Sequence, residues 1–130
     1  MGLCEVVRSS DWKTEKHVPV IECPDAVVAG EAFDVSVVVG KEVPHPNSTE
    51  HHIRWVELHF RPRGSTISYE LARCEFSAHG ESARGANQGP AYAHPELRTR
   101  IQVKEQGTLI AVSYCNIHGL WESSKDIEVS

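Results

Sequence analysis

An alternating run between Phe33 and Val39 constrains the fold of this chain more than any other feature of the sequence. The apolar positions in the run are Phe33, Val35, Val37 and Val39. Polar Asp34 and Ser36 separate them, so that apolar side chains recur with a period of two. In a strand this period places alternate side chains on opposite faces, one of which is typically buried. The run therefore predicts a half-buried β-strand that ends at Gly40.

Further short strands are predicted along the chain, separated by residues that favour turns. The additional predicted strands cover residues 18–22, 51–61, 67–78, 98–103, 108–114 and 126–129. We expect the strands at 98–103 and 108–114 to form a hairpin that turns at residues 105–107. Residues 41–50 and 79–94 contain proline and asparagine and are predicted to be loops. Six or seven short strands without a convincing amphipathic helix predict an all-β antiparallel sandwich.

The length and the charge of the chain set broad limits on its organisation and its partners. A chain of 130 residues is expected to form a single domain over residues 1–130. The formal net charge is -5 and no basic block is present, so we expect no nucleic-acid partner. No apolar run approaches the ~20 residues needed to span a membrane. Arg8, Asp11 and Lys13 interrupt the N-terminal segment, which therefore does not resemble a secretory signal.

Cysteine usage indicates the redox compartment. The four cysteines form no Cys-x-x-Cys pair. Since we find no secretion signal, we interpret them as reduced thiols, because disulfides are rare in the cytosol. The sequence therefore predicts a cytoplasmic location. Cys23 and Cys74 are expected to be small buried apolar residues.

A cysteine and four histidines are the candidate metal ligands. Cys115 and His118 lie three residues apart in a segment that includes a glycine, and a turn can direct both side chains towards one metal ion. The upstream candidates are His17, His45 and His51. The last two are predicted to lie on a loop, because ~100° per residue would place them on different faces of a helix. This set does not match a common structural zinc site, which has four ligands in a closed tetrahedron.

Residues next to these candidates are expected to orient them. Backbone N–H groups of Ile117 and His118 are predicted to donate hydrogen bonds to the sulfur of Cys115. Gly119 would permit a positive φ after the turn. His51 and His52 are adjacent at the start of a strand, so their side chains should point to opposite faces and only one can bind the metal. The histidines without a predicted ligand role are His52, His59, His79 and His94.

Three motifs occur in a fixed order along the chain. They are Glu-Lys-His-Val-Pro at 15–19, His-Pro-Asn at 45–47 with a second His at 51, and Cys-Asn-Ile-His-Gly-Leu-Trp at 115–121. Together they closely resemble superoxide reductase of the single-iron class, the neelaredoxins, and the resemblance extends from about Trp12 to the C-terminus.

The resemblance implies an immunoglobulin-like β-fold and one mononuclear iron per chain. Four imidazoles would lie in the equatorial plane and one thiolate on the axis, opposite an open position. The implied ligands are His17, His45, His51, His118 and Cys115. Five donors of mixed nitrogen and sulfur with an open position suit an iron that reacts with a small oxygen species. The implied reaction is the one-electron reduction of superoxide to hydrogen peroxide.

Further roles are implied for residues and partners around the iron. In the family's pattern, Glu15 occupies the sixth position of the oxidised iron. Lys16 is expected to supply local positive charge for the anionic substrate, with Lys41 as a weaker second, because the net charge would repel an anion. Trp121 is expected to wall the site.

The electron supply and the assembly are also expectations from the resemblance. No cluster of four cysteines could form a rubredoxin-like iron module here. An external one-electron donor is therefore required, and the family suggests rubredoxin. The single-iron family further suggests a homotetramer.

Two other functions are compatible with parts of this pattern. A blue-copper electron carrier also combines a β-sandwich with an upstream histidine and a Cys-x-x-His turn. Such sites usually add a weak axial methionine, and Met1 is the only methionine here. A non-catalytic immunoglobulin-like binding module with a structural metal is the second alternative, and it leaves the open coordination position without a purpose.

Overall fold

A computed structural model describes all 130 residues, and eight β-strands dominate it. The strands are β1 (Pro19–Glu22), β2 (Ala26–Val27), β3 (Phe33–Val39), β4 (Ile53–Pro62), β5 (Tyr69–Glu75), β6 (Glu96–Ile101), β7 (Gly107–Cys115) and β8 (Gly119–Val129). A short 3-10 turn at Leu3–Glu5 precedes them. No helix of the structure has the length and apolar character needed to cross a bilayer.

The strands form two sheets that enclose the core. One sheet has three strands in the order β1-β3-β6, and the other has five in the order β2-β8-β7-β4-β5. All neighbouring strands are antiparallel except β2 and β8, which run parallel. This architecture confirms the predicted all-β, immunoglobulin-like sandwich of largely antiparallel strands.

Alternation along the strands fills the space between the sheets. On β3 the four apolar residues of the alternating run all belong to the core, as the sequence predicts. On β7 every second residue from Gly107 to Cys115 is buried, and the fully buried Leu109 pairs with the buried Phe60 on β4. Removing these side chains from water is the main favourable term that holds the two sheets together.

The predicted hairpin between residues 98–103 and 108–114 is wrong, although both strands exist. β6 pairs with β3 in the three-stranded sheet, whereas β7 pairs with β4 and β8 in the other sheet. Val103 is buried in the segment that crosses between the sheets, and its carbonyl accepts a hydrogen bond from the N–H of Gly30 at 2.9 Å. Alternation identifies a strand but not its partner, so the pattern could not exclude this crossover.

One end of the sandwich collects the loops that carry the candidate ligands. β1 begins two residues after His17, and β4 begins two residues after His51. β7 ends at Cys115, which pairs with Gly119 across a hairpin of three loop residues. Gly119 has a φ of 80°, in agreement with the predicted positive value. The fold therefore brings distant parts of the chain to one place.

Candidate metal centre

Four of the five predicted ligands converge at this end of the sandwich. Ligand atoms of His17, His45, His51 and Cys115 all lie within 4.8 Å of one another. They come from three separate segments of the chain, and their convergence is produced by the packing of the two sheets. The arrangement provides nitrogen and sulfur donors around one point, which suits a transition metal.

His118 adjoins this group of four. Its Nδ1 lies 3.1 Å from Nε2 of His17 and 3.8 Å from Sγ of Cys115. The ring is exposed, whereas Cys115 has no exposed surface. Of the two predicted backbone donors to the sulfur, the structure shows one, the N–H of His118 at 3.4 Å. The turn thus directs an imidazole and a backbone N–H towards the thiol.

Two buried nitrogen atoms test whether a metal fits here. Nε2 of His45 and Nε2 of His51 are buried without a hydrogen-bond partner. Nδ1 of His45 is occupied by the carbonyl of Pro46 at 2.6 Å, so that Nε2 carries the free lone pair. A buried polar atom without a partner costs about 1–3 kcal/mol. Coordination to a metal would satisfy both atoms, and the residues therefore fit such a group.

Burial keeps these imidazoles neutral, as metal ligands must be. Burial lowers the pKa of His45 to about 4 and also lowers the pKa of His17 and of His51. The carboxylate of Glu15 opposes this effect at His17 but does not outweigh it. The positive charge of Lys16 lowers the pKa of all three rings further. At neutral pH each ring can therefore offer a lone pair.

Glu15 and Lys16 act on the candidate ligands in different ways. Oε1 of Glu15 accepts hydrogen bonds from Nδ1 and from the backbone N–H of His17, both at 2.6 Å. This carboxylate thus orients His17 through Nδ1, the ring nitrogen on the side away from the other ligands. The binding of Glu15 at a sixth iron position stays a prediction. The charge of Lys16 acts on the rings of the centre. Lys41 instead pairs with Glu22 at 3.2 Å.

Trp121 forms a wall of the centre, as expected. Its indole ring stacks on His17 with centroids 4.9 Å apart and 12° between the planes. Its Nε1–H donates to the carbonyl of His118 at 3.3 Å, and the guanidinium of Arg8 lies 5.2 Å from the ring centroid. The ring therefore contacts both segments that carry these two histidines.

The side chain of His52 points away from the centre. Its ring stacks on His79 with centroids 3.6 Å apart and 6° between the planes. Its Nδ1–H donates to the carbonyl of Ser48 at 2.9 Å. The structure thus separates His52 from His51, whose Nε2 faces the other ligands.

Sequence reasoning missed two residues that hold the histidine loop. Asn116 and Ser48 bond to the backbone around His51. Asn116 lies between the two ligands of the Cys-x-x-His turn, and this position was the only signal for it in the sequence. Its partners belong to another segment, so that the tertiary structure alone reveals them.

Comparisons with known proteins agree over nearly the whole length. A sequence model of desulfoferrodoxin matches residues 9–124. The neelaredoxin of Megalodesulfovibrio gigas is 54% identical over 127 residues, which cover 98% of each chain. The superoxide reductase of Pyrococcus furiosus is 52% identical over 126 residues, which cover 97% of this chain and 99% of that protein.

The fold is also shared with solved structures of such proteins. The superoxide reductase (neelaredoxin) from Archaeoglobus fulgidus in the reduced form superposes with a TM-score of 0.86 at 47% identity. The superposition covers 95% of this chain and 98% of that chain. The family match, the identities above one half and the shared fold show that this chain belongs to the desulfoferrodoxin family.

Proposed function

We propose that this protein is a superoxide reductase, an oxidoreductase that reduces superoxide to hydrogen peroxide. The observation that carries the proposal is the convergence of imidazole and thiol groups in which two buried Nε2 atoms have no hydrogen-bond partner. Its relatives named superoxide reductase or neelaredoxin support the reaction. The chain would act as one domain over residues 1–130.

The donor set fits one mononuclear iron. The residues that would hold it are His17, His45, His51, His118 and Cys115. Bound iron would supply a transferable electron and an open position for a small oxygen species. Four neutral imidazoles and one thiolate leave a ferrous site with about one positive charge, which favours an anionic ligand.

The residues of the chain prepare the site for this anion. Lys16 precedes His17 in the chain, and its positive charge lowers the pKa of His17, His45 and His51. Its attraction would offset the repulsion expected from the net charge of -5. Glu15 holds His17 through Nδ1, so that Nε2 of that ring faces the other ligands.

The reaction requires one electron and two protons for each superoxide. The electron must come from outside the chain, because the four cysteines are free and do not form a second redox centre. We propose a rubredoxin-like protein as the donor. Four free thiols fit a reducing compartment, and we propose a cytoplasmic location and a homotetrameric assembly.

Metal analysis combined with the visible spectrum of the oxidised protein tests this function. One iron per chain with a thiolate-to-iron absorption band is expected, together with peroxide formation from superoxide. A blue-copper carrier would show copper and an intense blue band, but the only methionine, Met1, is fully exposed at the N-terminus and offers no axial ligand. A protein without iron, or with iron and no reaction with superoxide, would refute the proposal.

A further inference from the structure

Four backbone polar groups around His51 are held by two residues that are not ligands. The N–H of His51 donates to Oγ of Ser48 at 3.1 Å, and the carbonyl of His51 accepts from the N–H of Ser48 at 3.0 Å. The flanking groups are the carbonyl of Glu50 and the N–H of His52. Both of these are bonded to the side chain of Asn116.

Asn116 uses both ends of its amide in these contacts. Oδ1 accepts from the N–H of His52 at 2.9 Å, and Nδ2 donates to the carbonyl of Glu50 at 3.0 Å. The backbone N–H of Asn116 also donates to the carbonyl of His52 at 3.2 Å. If the amide were turned by 180°, Nδ2–H would face the N–H of His52 and Oδ1 would face the carbonyl of Glu50. Only the observed orientation therefore satisfies both backbone groups.

The hydrogen bonds of Asn116 extend the contact between β4 and β7 beyond Ile53 and Cys115, the last paired residues of the two strands. The two strands pair as far as Ile53 and Cys115, where the chain of β7 enters the hairpin turn. The side chain of Asn116 then takes the place of a strand partner and bridges residues 50–52. The backbone next to Cys115 and the backbone on both sides of His51 therefore form one hydrogen-bonded unit.

This unit carries three of the five proposed iron ligands. Cys115 and His118 lie on the turn, and His51 lies on the loop that Asn116 bridges. If the bridge is lost, the loop can move relative to the turn, and the His51 ring then changes position relative to the Cys115 thiol. Groups that orient metal ligands are typically worth 10–100-fold in metal affinity.

We propose that Asn116 is a positioning residue that couples Cys115 to His51, two of the residues that would hold the iron. This inference rests on the proposed iron site and assigns a role to a residue between the two ligands of the turn. Asn116 acts through the backbone of the ligand segments, because its amide bonds to the backbone groups of Glu50 and His52.

The amide can be removed or altered in two ways. Asn116→Ala is expected to release iron to a chelator on the order of 10-fold faster and to shift the thiolate-to-iron absorption band. In the metal-free protein, the N–H of His52 should exchange with solvent on the order of 10-fold faster, because its acceptor is gone. Asn116→Asp keeps that acceptor but places a carboxylate oxygen against the carbonyl of Glu50. The His52 N–H should then stay protected while iron is still released faster.

Asn87 offers a matched control, because its side chain bonds to the same loop from residues 79–94. Its Oδ1 accepts from the N–H of Thr49 at 2.8 Å, and its Nδ2 donates to the carboxylate of Glu50 at 3.0 Å. Asn87 thus also uses both ends of an amide, but it does not bond to the backbone on either side of His51. Asn87 has a φ of 64°, so glycine removes its amide without straining the backbone. Asn87→Gly is expected to leave the absorption band, the iron release rate and the His52 exchange unchanged.

Two results keep this inference separate from the proposed function. If Asn116→Ala only lowers the unfolding temperature and otherwise matches Asn87→Gly, the role of Asn116 is merely structural and the inference is overturned. If no variant binds iron, including the unsubstituted protein, the proposed function fails. The exchange of the His52 N–H in the metal-free protein still reports on the bridge in that case, and an unchanged rate in Asn116→Ala would refute it.

Discussion

The adjacent histidines His51 and His52 allow a sharp test of the centre, because the structure gives them opposite surroundings. His51→Ala is expected to remove an iron ligand with little effect on the metal-free fold. Its Nε2 is buried without a partner, so that truncation removes an unsatisfied atom. His52→Ala is expected to do the reverse and to weaken the fold while iron binding persists.

The size of the His52 effect follows from its contacts. Truncation leaves the carbonyl of Ser48 without its donor at 2.9 Å, which costs about 1–3 kcal/mol. It also removes the ring stacked at 3.6 Å on His79, worth about 0.5–1.5 kcal/mol. The sum is about 3 kcal/mol. A chain of 130 residues loses roughly 3–4 °C of unfolding temperature per kcal/mol, so that a decrease of about 10 °C is expected.

Two measurements on each variant separate these effects. Iron per chain is determined by elemental analysis, and thermal unfolding of the metal-free protein is followed by circular dichroism. His52→Ala should keep one iron with an unchanged spectrum and unfold about 10 °C lower. His51→Ala should lose iron or show a changed spectrum, and its metal-free form should unfold within about 3 °C of the unsubstituted protein. If His52→Ala loses iron while His51→Ala keeps it, the assignment of the loop is wrong.

Three further predictions concern the thiol, the local charge and a buried histidine. Cys115→Ser is expected to abolish peroxide formation, whereas Cys74→Ser should keep the iron spectrum; activity in both variants would contradict the proposed ligand role of Cys115. Lys16→Ile should slow the second-order reaction with superoxide about ten-fold and weaken its salt dependence. Pulse radiolysis across a salt series measures both quantities. An unchanged rate constant would remove Lys16 from the mechanism. Burial lowers the pKa of His79 in the folded protein below its ordinary value of about 6.5. As the pH falls below about 6.5, this histidine therefore binds a proton in the unfolded chain before it does so in the folded protein, and the free energy of unfolding should decrease. His79→Gln should remove only part of that pH dependence in denaturant titrations, because the lowered pKa values of His17, His45 and His51 act in the same direction. An equal slope in both proteins would show that His79 does not contribute to it.

The strands were predictable because they depend on local alternation. The run from Phe33 to Val39 is confirmed as β3, and the strand predicted near residue 126 is the end of the longer β8. The hairpin between residues 98–103 and 108–114 was wrong, because pairing depends on which sheet can bury each strand. Side-chain periodicity carries no information about that choice.

The candidate ligands were predictable by residue type and order, but their geometry was not. The structure brings His17, His45, His51 and Cys115 within 4.8 Å and places His118 beside them. It also directs Glu15 to the back of His17 and pairs Lys41 with Glu22, which the sequence did not indicate. These contacts involve segments that are far apart in the chain.

The sequence by itself determined the β-class of the fold, through the alternation of apolar residues, and the chemistry of the centre, through the thiol and imidazole groups in three ordered motifs. Only the tertiary structure decided the pairing of β6 with β3, the nitrogen of each imidazole that faces the centre and the bridge from Asn116 to the backbone around His51. The reason is physical. Alternation and residue type are local properties, whereas strand pairing and ligand orientation depend on hydrogen bonds and burial between segments that meet only after folding.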